Sequence, residues 1–346
     1  MTIQSYCRSQ ARRLCGGVIM LASYQTAAAF HDVPDRHNEL AARFTFDARA
    51  VATPDADRAR TLRRVHPDYR HIDAWISSVG AGAALGDFDG DGIDNDLCLV
   101  DPRGDAPAIM PVPGTGARYA PITLATPGPA QPTAPMGCLI TDLDEDGAMD
   151  ALVYYWGRVP VGFLHRGDRM VPFETAAPER WFSNAGLVAD VDGDGHLDIV
   201  IGNYFPDGSR VLDDAATEPA VMQDSMSRAY NGGSKRFLLW QRRDGDRVVY
   251  RDADARLGDV VGHGWTLALG ARDLDGDLRP EIYIANDFGP DRLLHNLSGP
   301  GVLRFEVMTG RRRFTDPRSK VLGMIRSRAW ASISATSTAM ATMTSR

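Results

Sequence analysis

The chain has 346 residues, with 38 basic side chains against 45 acidic ones and a formal net charge of −7 at pH 7. That balance argues against nucleic acid as a partner, which needs a basic face, and the length suits one large domain or two small ones. Its 34 glycines and 21 prolines favour many short strands joined by tight turns over long amphipathic helices.

Residues 1–29 have the layout of an export signal. Arg8, Arg12 and Arg13 precede the short apolar stretch LCGGVIMLA, and Ala27, Ala28 and Ala29 offer a small-residue cleavage site before Phe30. The stretch is too short to span a membrane, so the expectation is an exported protein, periplasmic, cell-surface or extracellular, with no transmembrane span. Residues 30–75 are basic and polar without clear periodicity and are expected to form an entry segment. From Ile76 the composition changes to SSVGAGAALG, small residues suited to a crowded inner strand. Similar strand signals, MGCLIT, AGLVA and HGWTLALGA, recur further on.

An aspartate-rich loop follows each of these strands. The four loops carry Asp87, Asp89 and Asp91; Asp142, Asp144 and Asp146; Asp190, Asp192 and Asp194; and Asp273, Asp275 and Asp277, always at positions 1, 3 and 5. Alternate carboxylates converge when the backbone coils around a point, and hard oxygen donors in that number suit Ca²⁺ better than the smaller, water-retaining Mg²⁺. Backbone carbonyls at position 7 (Ile93, Ala148, His196 and Arg279) are further candidate ligands. A closing acid stands directly before an apolar run: Asp150 before ALVYY, Asp198 before IVI and Glu281 before IYI. In the first loop position 9 is Asn95, and Asp96 aligns with the other closing acids, so one residue is inserted there. Position 12, where an EF-hand needs a bidentate Glu, is Cys98, Val153, Ile201 or Ile284, which excludes that architecture. Loops two and three are complete. Loop four departs most, with Leu278 for the turn glycine, Pro280, and Glu281 as closing acid. For any single loop the alternative is a solvated acidic turn, since Asp and Gly are turn residues.

The first aspartates, at 87, 142, 190 and 273, are 55, 48 and 83 residues apart, a spacing that predicts one small sheet per repeat, as in propeller blades. The longest interval holds a segment without strand signal, about Asp207 to Lys235, expected to be an exposed loop.

A glycine- and alanine-rich strand, then DxDxDGxxD, then an apolar strand resembles the FG-GAP or VCBS repeats of integrin α-chain propellers. Segments such as DGHLDIVIGNYFPDG and EIYIANDFGPDRLLHN resemble the bacterial relatives of cartilage acidic protein (ASPIC/UnbV type) more closely, over roughly residues 76 to 323. The resemblance implies an all-β fold, a secreted β-propeller stabilised by Ca²⁺, usually without demonstrated catalysis, with four to five blades present here. The expected function is a non-enzymatic platform for adhesion or recognition, its partner an extracellular or envelope protein or a glycan. The alternative is a carbohydrate-active enzyme, a polysaccharide lyase or hydrolase, on the same scaffold; His263, Arg272 and Tyr283 are candidates for its site, although nothing in the sequence joins them.

The remaining features weigh less. Cys7 and Cys15 would leave with the signal, and Cys98 and Cys138 fall in strands of adjacent repeats. A disulfide there is open, with two buried thiols the plainer reading. The tripeptides Arg103-Gly104-Asp105 and Arg166-Gly167-Asp168 are attributed to coincidence, and Asn296-Leu297-Ser298 is a glycosylation sequon. His165, His263 and His295 read as structural, and Asn203 and Asn286 as matching repeat positions. From Met324 onward the chain has no apolar pattern, and reading its codons one base out of register permits a fifth loop of GDIDGDGD type. A frameshift near Gly323 is therefore expected, with 324–346 an out-of-frame, disordered tail of a longer propeller protein.

Overall fold

A computed structural model describes residues 3–29, 34–54, 60–126, 132–253, 255–318 and 321–324. Residues 325–346, which carry the out-of-frame reading, and Phe30 at the expected cleavage point lie outside them.

The described chain is mostly β. Sixteen strands form four antiparallel sheets of four, each a meander in chain order. The first sheet holds β1 (Ala83–Gly86), β2 (Asp96–Leu99), β3 (Ala108–Pro111) and β4 (Ile122–Thr123). The second holds β5 (Ala134–Thr141), β6 (Asp150–Trp156), β7 (Val161–Arg166) and β8 (Arg169–Glu174). In the third are β9 (Ser183–Ala189), β10 (Asp198–Asn203), β11 (Lys235–Arg243) and β12 (Val248–Ala253), and in the fourth β13 (Thr266–Arg272), β14 (Glu281–Asn286), β15 (Arg292–Asn296) and β16 (Phe305–Met308). Every aspartate loop joins the first two strands of a sheet. Its closing acid opens the second strand and pairs with the last residue of the first: Asp96 with Gly86, Asp150 with Thr141, Asp198 with Ala189, Glu281 with Arg272. Loop one therefore runs from Asp87 to Asn95, one residue longer than the others, as the strand alignment requires.

First strands of successive sheets lie side by side, β1 by β5, β5 by β9, β9 by β13. Between the sheets run apolar layers. Cys98, Ile109, Ile140, Val153 and Phe163 fill the first; Leu143, Leu152, Leu164, Ile199 and Leu238 the second; Leu187, Val200, Phe237, Leu269, Ile282 and Ile284 the third. An aromatic cluster of Trp156, Phe182, Tyr204, Phe205 and Trp265 closes the end away from the acidic loops. Cys98 and Cys138 form a disulfide, which corrects the reading of two thiols: β2 and β5 bring their Cα atoms to 5.9 Å, within bonding reach.

One further expectation is corrected. The segment from Asp207 to Lys235 has no strand before Lys235, which opens β11, but it is not simply exposed. Val211, Leu212, Ala216 and Ala229 are buried, and it is held by His66 Nε2 at 2.8 Å from the Glu218 carbonyl and by the Tyr69 hydroxyl, which donates to Val221 O at 2.7 Å. Residues 30–75 contain regular structure: a helix at Pro34–Ala41, a 3₁₀ turn at Pro67–Ile72 and a short helix, Asp73–Ser78, that crosses the expected boundary at Ile76. The 3₁₀ turn starts where His66 Nδ1 accepts the Asp68 N–H and Pro67 occupies the first turn, a local capping signal rather than a periodic one.

Met1–Ala50 is a compact unit separate from Val51–Arg346. It contains a helix over Ile3–Ala29, whose Val18, Ile19, Met20 and Leu21 are exposed; Gly16 and Gly17 weaken a helix without forbidding it. No helix among the described residues is long and apolar enough to cross a membrane.

Candidate metal centre

The four loops share one hydrogen-bonded form. The position 1 carboxylate accepts N–H groups from the loop it begins: Asp87 from Asp91 and Gly92, Asp142 from Asp146 and Gly147, Asp190 from Gly193, Asp194 and Gly195, Asp273 from Gly276 and Leu278. The position 5 carboxylate accepts the N–H of position 7, which is Ile93, Ala148, His196 or Arg279. Positions 4 and 6 both have positive φ in every loop: Gly90 and Gly92, Glu145 and Gly147, Gly193 and Gly195, Gly276 and Leu278. Coiling of this kind turns alternate side chains inward, and ligand oxygens of Asp87, Asp89 and Asp91, of Asp142, Asp144 and Asp146, of Asp190, Asp192 and Asp194, and of Asp273, Asp275 and Asp277 lie within 4.8 Å of one another in each set.

The closing acid clasps the loop to the sheet. One oxygen accepts the N–H of position 2: Asp96 from Phe88, Asp150 from Leu143, Asp198 from Val191, Glu281 from Leu274. The other accepts from elsewhere in the sheet: Asp150 from His165 N on β7, Asp198 from Trp240 N on β11, Glu281 from Asn296 N on β15. Asp96 instead takes the Tyr119 hydroxyl and the Arg118 guanidinium, at 2.8 and 2.5 Å. In Asp150 and Asp198 each backbone contact uses one lone pair of an oxygen that has two, leaving the other for a ligand, whereas Asp96 Oδ2 accepts the N–H groups of both Phe88 and Asp89.

Several of these carboxyls are buried without full compensation. Asp150 and Asp198 are fully buried, and burial pushes both carboxyls up to about 7; desolvation penalises the charged form unless a cation stands beside it. Asp142, Asp190 and Asp192 are also raised, again chiefly by burial. Asp144 is 3 % exposed, and its Oδ1 is buried without a hydrogen-bond partner. Asn95 Oδ1 in loop one is orphaned likewise. Three convergent carboxylates with an unpartnered oxygen fit a divalent cation with hard-oxygen preference.

Arginines reach three of the loops. Arg118 lies 2.5 Å from Asp89 Oδ2 and 3.3 Å from Asp91 Oδ2. In loop two Arg166 bonds Asp144 and reaches Asp146 at 3.0 Å, while Arg243 of the third sheet lies 3.1 Å from Asp144 Oδ2. Loop three is bound by backbone instead, with the Gly301 N–H donating to Asp192 Oδ2 at 2.7 Å. Loop four spends Asp277 on Arg279. The sequence did not point to Arg118, Arg166 or Arg243: they stand at irregular distances after the loops, Arg118 being 22 residues beyond Asp96, with no repeat to mark them.

Residues 182–215 match the FG-GAP repeat. This FG-GAP match takes in β9, loop three and β10, the strand, loop and strand whose hydrogen bonds the other three sheets reproduce. No curated protein matches the chain.

Other candidates separate. His263 precedes β13 and Arg272 ends it, so a strand of seven residues, about 3.3 Å per residue, holds His263 roughly 20 Å from Arg272, while Tyr283, on the strand paired with β13, donates its hydroxyl to Asp291. In Arg103-Gly104-Asp105, Arg103 is tied to Asp101 and Asp105 to Arg60. His196 stacks on Trp240 and bonds Glu145 of loop two at 2.8 Å. The Ser183 hydroxyl donates to Asn203, Thr266 is 3.5 Å from Asn286, and Asn286 caps Pro290 O, so this asparagine pair serves the sheets.

Proposed function

We propose that the chain is an exported, calcium-braced propeller repeat protein of the FG-GAP/VCBS kind, non-enzymatic, which presents a surface for adhesion or recognition of an extracellular or envelope protein or a glycan. The observation that carries this reading is the recurrence of one loop form in four successive sheets, each gathering three carboxylates, one of them inside the FG-GAP match. Ca²⁺ is the ion that fits: Asp87, Asp89, Asp91 and Asp96 in loop one, Asp142, Asp144, Asp146 and Asp150 in loop two, Asp190, Asp192, Asp194 and Asp198 in loop three, joined by carbonyls of Ile93, Ala148 and His196. Loop three ranks first, because among the described residues no arginine is hydrogen-bonded to its carboxylates, Asp192 being held by the Gly301 N–H. In loops one and two the ion replaces Arg118 and Arg166 at the carboxylates. Four sheets whose first strands lie side by side support an arc of propeller blades. The helix over Ile3–Ala29 with its exposed apolar residues supports export, where calcium is plentiful enough to fill weak sites. Of the ASPIC/UnbV likeness the reading keeps only the repeat type.

The experiment is a screen of the tag-free chain, with calcium and with chelator, against immobilised glycans and extracellular matrix and envelope proteins. Calcium-dependent binding to one ligand class is expected. Turnover of a polysaccharide in the same assay without retained binding would overturn the recognition role in favour of the enzyme.

A further inference from the structure

Loop four differs from the others in the donor that reaches it from the third strand. At loop two that strand delivers Arg166, a cation; at loop four β15 delivers His295. Its Nδ1 lies 3.1 Å from Glu281 Oε1 and 3.5 Å from Asp275 Oδ2, and ligand atoms of Asp275, Glu281 and His295 all fall within 4.8 Å of one another. Glu281 is 4 % exposed and fixed by the N–H groups of Leu274 and Asn296; Asp275 is open to solvent. The group is anchored on one side and accessible on the other. Meanwhile the oxygen set for calcium is depleted, since Arg279 holds Asp277.

We propose that Asp275, Glu281 and His295 form a site for a borderline divalent transition metal, with Zn²⁺ the best match, distinct in metal preference from the other loops. Calcium takes oxygen ligands, whereas one imidazole with two carboxylates is a nitrogen and oxygen set that suits zinc, with a fourth position left for water. The longer closing acid explains the geometry, because Glu281 reaches the imidazole where an aspartate in its place would end one carbon sooner. Backbone N–H groups on Glu281 orient it as outer partners orient metal ligands. The site stands whether or not loops one to three bind calcium.

The test is zinc titration of the tag-free, chelator-treated full chain by calorimetry in excess calcium, alongside the visible spectrum of the Co²⁺-substituted protein. One zinc per chain is expected, together with Co²⁺ bands of low coordination number. His295→Gln and Asp275→Asn should each lose that equivalent and the bands while keeping the far-UV dichroism and any calcium-dependent rise in melting temperature. Zinc stoichiometry and Co²⁺ spectrum unchanged in both variants, or calcium displacing zinc at equal concentration, would overturn the proposal.

Discussion

Two residues show how local chemistry sets the quality of a site. Leu278 stands at φ 72°, 88 % exposed, where loops one to three place glycine. A side chain in the left-handed region costs about 1–2 kcal/mol, while glycine gives back roughly 0.4–1 kcal/mol through the unfolded chain. Leu278→Gly is therefore expected to stabilise the protein by up to about 1 kcal/mol, read as a higher urea midpoint at unchanged slope. Lys235, at the start of β11, is 9 % exposed and donates to Gly264 O at 2.9 Å. Burial lowers its ammonium to about 7. Between that value and the normal lysine range the unfolded chain binds a proton that the native one has released, so the lysine's contribution to stability grows as pH rises from about 7 to 10. Equilibrium unfolding of wild type and Lys235→Met across that window should show this rise in the wild type and a flatter profile in the variant.

At the scale of elements, the disulfide and the third strands do what the loops cannot. Cys98 on β2 and Cys138 on β5 join the first two sheets across 40 residues, and chain-entropy arguments for a loop of that length give about 4 kcal/mol. Cys98→Ala/Cys138→Ala should lose stability of that order in denaturant unfolding and lose its sensitivity to reductant. The strands flanking each loop were legible in the sequence, because the closing acid marks where β2, β6, β10 and β14 begin and small residues mark β1, β5, β9 and β13. The outer strands were not. β4 has two residues and β8 contains Pro172, too little pattern to read. The carboxylate sets were legible for the same reason as the inner strands: positions 1, 3 and 5 are local. Arg118, Arg166 and His295 come from distant chain, and His295, 14 residues beyond Glu281, reads as an ordinary strand histidine until the fold brings it to the loop. The pairing of Cys98 with Cys138 likewise depends on how neighbouring sheets face each other, which no local pattern encodes. The order of the 60–79 segment rests on single contacts, such as Arg63 donating to Ile76 O and Val79 O, each at 2.9 Å, so no periodicity marks it.

For the whole molecule, the acidic loops act at the joints between sheets. Arg243 of the third sheet reaches Asp144 of the second; Gly301, between β15 and β16, reaches Asp192 of the third; Asn296 Nδ2 of the fourth donates to Val191 O of the third. The first two joints pair a buried acid with a partner across the sheet boundary and the third ties the loop backbone itself, so an ion that fixes the loop also fixes the sheet beside it. On this account calcium stabilises the native arrangement by mass action, about 2.7 kcal/mol per site at a hundredfold excess over its dissociation constant. For a unit of this size that corresponds to a rise in melting temperature of roughly 4 °C for each filled site. The most direct measurement is calcium titration of the chelator-treated chain by calorimetry with a parallel thermal melt. The account predicts saturable binding of three ions per chain, loop three filling first, with a stepwise rise in melting temperature; no binding heat and identical melts in calcium and chelator would contradict it.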